Sequence, residues 1–301
     1  MAVEKDFYKG VYALMLTPYK EDLSVDYDAF ERYADWQVND QNPHGIFPVC
    51  GSSEMTALKL EERIRIAQLA VKHKGDKKVF VTGNLEPSWF AQVDEVKKME
   101  QTGVDGLVFT TRGMGNDEDR LVTYIAELAT HTSLPIIMYE FPGMQPAPRI
   151  SGKCYGELVK TGRVYGIKDT TCTMEGIQEK IDNDGGSAII QANVPYLFKS
   201  WKAGAKGVMA TSTTCGAKIF RRMWDSFTAG DLAAAEEYHA QTCLLSSAVD
   251  EGFTATAKYM VSLQGVPMNT YTRTGSTLSP QKAEFIRVWH DWAVRNGIMD
   301  K

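Results

Sequence analysis

Short apolar runs begin at residues 10, 45, 78, 105, 134, 164, 187 and 206: GVYALMLT, GIFPVC, KVFVTG, DGLVFTT, LPIIMYEF, VYGIK, SAIIQA and KGVMAT. Each is continuous rather than alternating, the pattern of parallel strands buried on both faces. Between them, DYDAFERYADWQV (26–38), LEERIRIAQLAVK (60–72), PSWFAQVDEVKKMEQTG (87–103) and DEDRLVTYIAELATH (117–131) repeat apolar residues at helical spacing. Several of these segments open on Asp, Ser or Glu and close on Gly, as helix capping favours. Eight strands alternating with helices predict an α/β chain, a (β/α)8 TIM barrel over residues 1–215. A helical C-terminal section follows over 216–301. There Ile219, Phe220, Met223, Trp224 and Phe227 recur at helical spacing, and a last helix opens on Ser279-Pro280, a good N-cap and first-turn pair. On that helix Phe285, Val288, Trp289 and Trp292 share a face, expected in the core or at a subunit interface.

Composition narrows the class. The chain has 301 residues, 44% of them hydrophobic, enough for a large core, and a net charge of −5 that argues against nucleic acid or an anionic membrane as partner. The opening MAVEKDFYKG is charged and has no apolar segment of signal-peptide type, and no apolar stretch is long enough to span a bilayer; a cytoplasmic location is expected. Five cysteines at 50, 154, 172, 215 and 243 are scattered without a CxxC pair, so reduced thiols are expected. The histidines at 44, 73, 131, 239 and 290 show no metal-ligand spacing, and neither metal nor other cofactor is expected.

In barrels of this kind the chemistry sits at the C-terminal ends of the strands. That rule selects Cys50-Gly51-Ser52-Ser53-Glu54 after the second run, Tyr139 at the end of the fifth and Lys168 at the end of the sixth. Residues two apart share a strand face, so Lys168 lies on the side of Gly166, which would leave room beneath it for a bound molecule. Neighbouring strands are about 4.8 Å apart, which brings Tyr139 within reach of Lys168. A lysine among apolar walls loses affinity for its proton, and the neutral amine attacks ketones to form a Schiff base. A nearby tyrosine can move protons to and from the adduct. Hydroxyls and backbone N–H groups of a Gly-Ser-Ser turn suit a carboxylate. Together these groups describe a 2-keto acid held by its carboxylate with its carbonyl on Lys168. Each residue also has a plainer use: Lys168 paired with Glu54 or Asp169, Tyr139 packed, the serines capping a helix. Their convergence on one barrel face favours the chemistry. TSTTCG (211–216) reads as a helix cap rather than a phosphate site.

These motifs resemble the dihydrodipicolinate synthase/N-acetylneuraminate lyase family of class I aldolases over nearly the whole chain. GVYALMLTPYKEDLSVDYDAF is similar to the family's opening strand and "TPF" turn, Cys50–Glu54 with MTALKLEER to its carboxylate motif, MYEFPG (138–143) to "YN(I/V)P", and GIKDTT to "GIK(E/D)". QANVPYLFKSWKAGAKGVMATSTTC matches strands seven and eight. The resemblance implies Lys168 as Schiff-base lysine, Tyr139 as proton shuttle, and Gly51, Ser52, Ser53, Met209 and Arg112 as substrate-binding residues. An ungapped alignment favours Ser52 over Ser53 for the carboxylate. A homo-oligomer, a tetramer built from dimers, is implied as well.

Departures bear on the substrate. Glu140 stands where the family has asparagine. Met144 occupies the position of a carboxylate-binding arginine of the synthases, and Thr110-Thr111-Arg112-Gly113 lacks their second tyrosine. The expected activity is therefore a Schiff-base lyase acting on pyruvate or a 2-keto-3-deoxy sugar acid. The alternatives are the synthase itself, a keto-sugar-acid dehydratase, a metal-dependent barrel enzyme and a barrel that binds a keto acid without turning it over.

Overall fold

The structure, a computed structural model, describes residues 7–111, 114, 117–143 and 149–300. Eight strands run in sequence order around a closed barrel. They are β1 (Gly10–Leu14), β2 (Gly45–Val49), β3 (Lys78–Thr82), β4 (Gly106–Thr110), β5 (Ile136–Tyr139), β6 (Val164–Asp169), β7 (Ala188–Gln191) and β8 (Gly207–Val208). Seven fall within the apolar runs, and β6 extends one residue beyond VYGIK, to Asp169. The interleaved helices are α1 (Tyr27–Trp36), α2 (Leu60–His73), α3 (Trp89–Glu100), α4 (Glu118–Ala129), α5 (Gly152–Lys160), α6 (Met174–Asp182) and α7 (Leu197–Ala203). Then come α8 (Thr213–Thr228), α9 (Leu232–Asp250), α10 (Ala255–Leu263) and α11 (Pro280–Arg295). Side-chain oxygens of Asp26, Ser88, Asp117, Ser151, Thr173, Asp231 and Ser279 accept backbone N–H bonds at seven helix starts. Among the described residues, no helix is long and apolar enough to cross a membrane.

The chain gathers into two compact units. In the first, residues 79–209 with the segment ending at Gly10, β3 to β8 pair in parallel. Its interior is a run of buried Val, Ile, Leu and Phe such as Leu107, Val108, Phe109, Ile136 and Ile189. The register is what matters for chemistry: Thr110 lies beside Tyr139, Tyr139 beside Lys168, and Lys168 beside Ile190.

The second unit, residues 11–78 and 210 onward, pairs β1 with β2 and contains α1, α2 and α8 to α11. The TSTTCG hydroxyls are spent on the protein. Thr213 Oγ1 accepts the Leu14 N–H at 3.0 Å and donates to Ala210 O, while Thr214 donates to Thr211 O. Ser212, the N-cap of α8, makes no side-chain cap bond; its hydroxyl meets that of Ser246 instead. Gly216 breaks the helical geometry inside α8, and a Cβ there would lie 2.3 Å from Leu245, so the glycine is what lets α9 approach.

On the last helix, the core is excluded for three of the four residues expected in the core or at a subunit interface. Its buried face is Ile286, His290 and Ala293, whereas Phe285, Val288 and Trp292 are exposed. Three large apolar residues at helical spacing thus form an outward stripe. The periodicity of α11 was correct, but two apolar faces competed for the interior and the one with the smaller side chains lies inside.

Candidate active site

Tyr139 is the last residue of β5 and Lys168 the penultimate residue of β6; both side chains are almost completely buried. The Lys168 ammonium nitrogen lies 4.1 Å from the centre of the Tyr139 ring. Their neighbours explain the orientation. Asp169 and Glu140, one residue further along, reach Lys180 on α6, which packs on the outside of the strands. Side chains alternate along a strand, so Lys168 and Tyr139 are turned to the opposite face, the barrel interior. Gly166 shares that face, but a Cβ there would meet the Ala188 carbonyl oxygen at 3.0 Å. The glycine serves the close approach of β7, rather than simply leaving a void under the lysine.

Lys180 is the organising cation behind this pair. Its Nζ lies 2.8 Å from oxygens of both Glu140 and Asp169, and it also donates to Thr171 Oγ1. Glu140 accepts the backbone N–H of Ile150 (2.9 Å) and of Thr170 (3.2 Å), and Thr170 Oγ1 donates to the Glu140 carbonyl. Asp169 accepts from Gln191 Nε2 at 2.9 Å. Glu140 and Asp169 are fully buried and Lys180 almost so. Burial raises the Glu140 carboxyl above its usual range despite the ammonium beside it. Burial acts the same way on Asp169, yet Lys180 and the surrounding hydrogen bonds hold it below. For Lys180 the two carboxylates overcome desolvation and strengthen its hold on the proton. Asp169 is thus committed to Lys180, which disfavours the plain reading of Lys168 as its partner.

The other proposed partner, Glu54, is engaged too. In the second unit, Cys50–Glu54 follows β2 as a tight 3-10 turn over Gly51–Ser53. Ser53 Oγ accepts the Cys50 N–H and donates to the Cys50 carbonyl, both at 2.8 Å, and Thr17 Oγ1 donates to Ser53 O at 2.8 Å. Ser53 therefore spends its hydroxyl on the turn. Ser52 is buried, and among the described residues its hydroxyl has no hydrogen-bond partner. The backbone N–H groups of Gly51 and Ser52 likewise find no acceptor there, as expected at the start of a helical turn. Glu54, in the left-handed region (φ 59°), turns its carboxylate to Lys258 of α10 at 3.2 Å and to Thr254 at 3.3 Å. It also accepts the N–H groups of Arg273 (2.7 Å) and Thr274 (2.9 Å) and the Thr274 hydroxyl. Arg273 in turn forks onto Glu62 at 2.6 and 2.7 Å.

Met209 is buried just beyond β8, its N–H bonded to the Gln191 carbonyl at 3.0 Å. Arg112, Gly113 and Met144 lie outside the described residues. Among the described residues, no three His, Cys, Asp or Glu side chains gather so as to hold a metal ion. Among the described residues no disulfide joins the five cysteines; Cys50, Cys154 and Cys215 are buried. Sequence reading missed Lys180 and Lys258. A signal existed for Lys180: it stands three residues after Ile177 on the inward face of an amphipathic helix, where a lysine needs a reason.

Comparison with known proteins adds the lineage of this arrangement. A model of the dihydrodipicolinate synthetase family matches residues 7–284. A 4-hydroxy-tetrahydrodipicolinate synthase of Magnetococcus marinus is 25% identical over 236 residues, 78% of this chain and 80% of that protein. The N-acetylneuraminate lyase of Fusobacterium nucleatum, solved with pyruvate, superposes with a TM-score of 0.87 at 18% identity, covering 95% of this chain and 97% of that one. A prophage protein of the dihydrodipicolinic acid synthase family from E. coli, also with pyruvate, superposes with a TM-score of 0.86 at 20% identity, covering 95% and 98%. At such identities the superpositions speak for the fold.

The Glu54–Lys258 pair generates a test of its own. Lys258→Met leaves a buried carboxylate short of its cation and should destabilise the protein by about 3–5 kcal/mol in chemical unfolding. Burial lowers the Lys258 ammonium from 10.5 to about 8, against the pull of Glu54. Between those two values the unfolded chain binds a proton there that the folded one has released, so this residue makes stability rise with pH across that window. The stability gap between wild type and Lys258→Met should therefore widen from pH 8 towards 10.5, by up to about 1.4 kcal/mol per pH unit. A constant gap would show that Lys258 keeps its proton throughout.

Proposed function

Because this chain belongs to the dihydrodipicolinate synthetase family, we propose that it is a class I lyase holding a 2-keto acid as a Schiff base on Lys168. The observation that carries the reading is the in-register pair at the ends of β5 and β6, with the Lys168 nitrogen against the Tyr139 ring. The neutral amine of Lys168 adds to the C2 carbonyl, and Tyr139 passes a proton to the forming carbinolamine hydroxyl, which leaves as water. The resulting imine draws electrons from C3. In cleavage, Tyr139 accepts the proton of the C4 hydroxyl as the C3–C4 bond breaks, releasing an aldehyde. The enamine left on Lys168 is protonated at C3 and hydrolysed to pyruvate. The Gly51–Ser53 turn supplies the carboxylate donors in this reading: two backbone N–H groups and the Ser52 hydroxyl.

The pyruvate bound in the two similar solved structures supports pyruvate as the common half of the reaction. For the other half, Met144 in place of an arginine and the missing second tyrosine favour a polyhydroxylated aldehyde over the aspartate semialdehyde used by the synthases. A bidentate carboxylate contact is worth about 1.5–3 kcal/mol, and Met144 cannot make one.

Borohydride with pyruvate should attach a stable adduct to Lys168, located by mass spectrometry, and Lys168→Ala should lose both adduct and turnover while keeping its unfolding temperature. Trapping that survives in Lys168→Ala would remove the residue from the mechanism. Tyr139→Phe should lower kcat by about a hundredfold or more, the equivalent of about 3–5 kcal/mol for a positioned acid–base group; an unchanged kcat would leave the hydroxyl with a packing role alone. Assayed side by side, 2-keto-3-deoxy sugar acids should be cleaved faster than pyruvate and aspartate semialdehyde are condensed. The reverse order would assign the synthase activity and leave the Schiff base in place.

A further inference from the structure

The residues after Tyr139 and Lys168 are Glu140 and Asp169, and a single ammonium, Lys180 Nζ, lies 2.8 Å from an oxygen of each. Two carboxylates and a lysine buried together are a costly way to gain stability, since well-packed apolar groups of similar volume often do as well or better. What such a cluster provides is a fixed geometry. Glu140 ties the end of β5 to the end of β6 twice, through Lys180 and through the Thr170 N–H, and its bond from the Ile150 N–H holds the residue that leads into α5. An asparagine at 140, the residue expected from the family motif, is one methylene shorter and carries no charge to set against Lys180.

We propose that Glu140, with Lys180 and Asp169, is a positioning residue that fixes the Tyr139 hydroxyl relative to the adduct on Lys168. This deepens the Schiff-base reading given above and rests on it. Both steps use the Tyr139 proton, but two readouts separate amount from rate. The fraction of enzyme held as imine at saturating pyruvate is an equilibrium quantity and does not depend on how fast that proton moves. The rate of proton transfer depends on geometry: misplacement by about 1 Å costs roughly a hundredfold. Loosening the clamp should therefore slow proton transfer and spare the imine present at saturation.

Pyruvate alone tests this in the intact protein. Exchange of its C3 protons in deuterium oxide breaks a C3–H bond to form the enamine and returns a solvent deuteron to C3, so it reports proton transfer. Borohydride trapping reports the imine. Glu140→Gln keeps the size of the side chain but removes the charge and turns one of its two accepting oxygens into an N–H donor. It should lower the exchange kcat ten- to a hundredfold, with the KM for pyruvate and the fraction trapped at saturation within twofold of wild type. Thr171→Val, at a half-exposed position, withdraws the third acceptor from Lys180 and should lower exchange three- to tenfold; it carries the test should Glu140→Gln fail to fold. Exchange within twofold of wild type in a folded variant would overturn the proposal. A parallel loss of trapping and exchange would do the same, because the cluster would then merely hold up Lys168. If wild type itself gives no adduct on Lys168, the Schiff-base reading falls and the clamp with it; an adduct with unaffected variants sinks the clamp alone.

Discussion

The alternation of side chains at the ends of β5 and β6 is the constraint on which the site depends. It turns Tyr139 and Lys168 to one face and Glu140 and Asp169 to the other, in strands whose register sets each pair side by side. A slip of one residue would place the two acids inside and the lysine and tyrosine among the helices. Lys180 acts against such a slip, since its ammonium is matched only when both carboxylates face α6. The polar cluster outside and the lysine–tyrosine pair inside are thus two faces of a single choice of register.

The second unit shows a comparable division of labour around a single turn. Among the described residues, the donors of Gly51 and Ser52 are uncommitted, while Ser53 and Glu54 are occupied in holding the backbone. Thr17, from the segment after β1, supports the same turn from below. Tyr19, two residues on, lies under both the Lys258 and the Arg273 cations, with ring-to-charge distances of 4.5 and 4.9 Å. A turn four residues long is thereby stiffened by contacts spread over more than two hundred positions of sequence.

Much of this was legible beforehand. The eight strands were readable because buried parallel strands write themselves as unbroken apolar runs, and GIKDTT and MYEFPG stood out as polar chemistry at the ends of two of them. The partners were not readable. Nothing in the spacing says that Asp169 meets a lysine eleven residues later, or that Glu54 meets one 204 residues later, because such pairs depend on which helix faces which strand end. On α11, Phe285, Val288 and Trp292 and the Ile286, His290, Ala293 set have the same period, and periodicity alone does not say which of two faces meets the core of the chain. Gly166 was read for the space it leaves, whereas its neighbour strand is what needs it.

The reach of Glu54 also sets an order of events in the cell. Its donors, Thr254, Lys258, Arg273 and Thr274, leave the ribosome at least two hundred residues after it. Until then the turn after β2 has only its local bonds, and the left-handed backbone at Glu54 has nothing distant to hold it. At translation rates of about 5–20 residues per second, the two hundred intervening residues impose a wait on the order of ten seconds or more. The eight strands, the last of which ends at Val208, can thus all be made before the turn after β2 gains its distant supports.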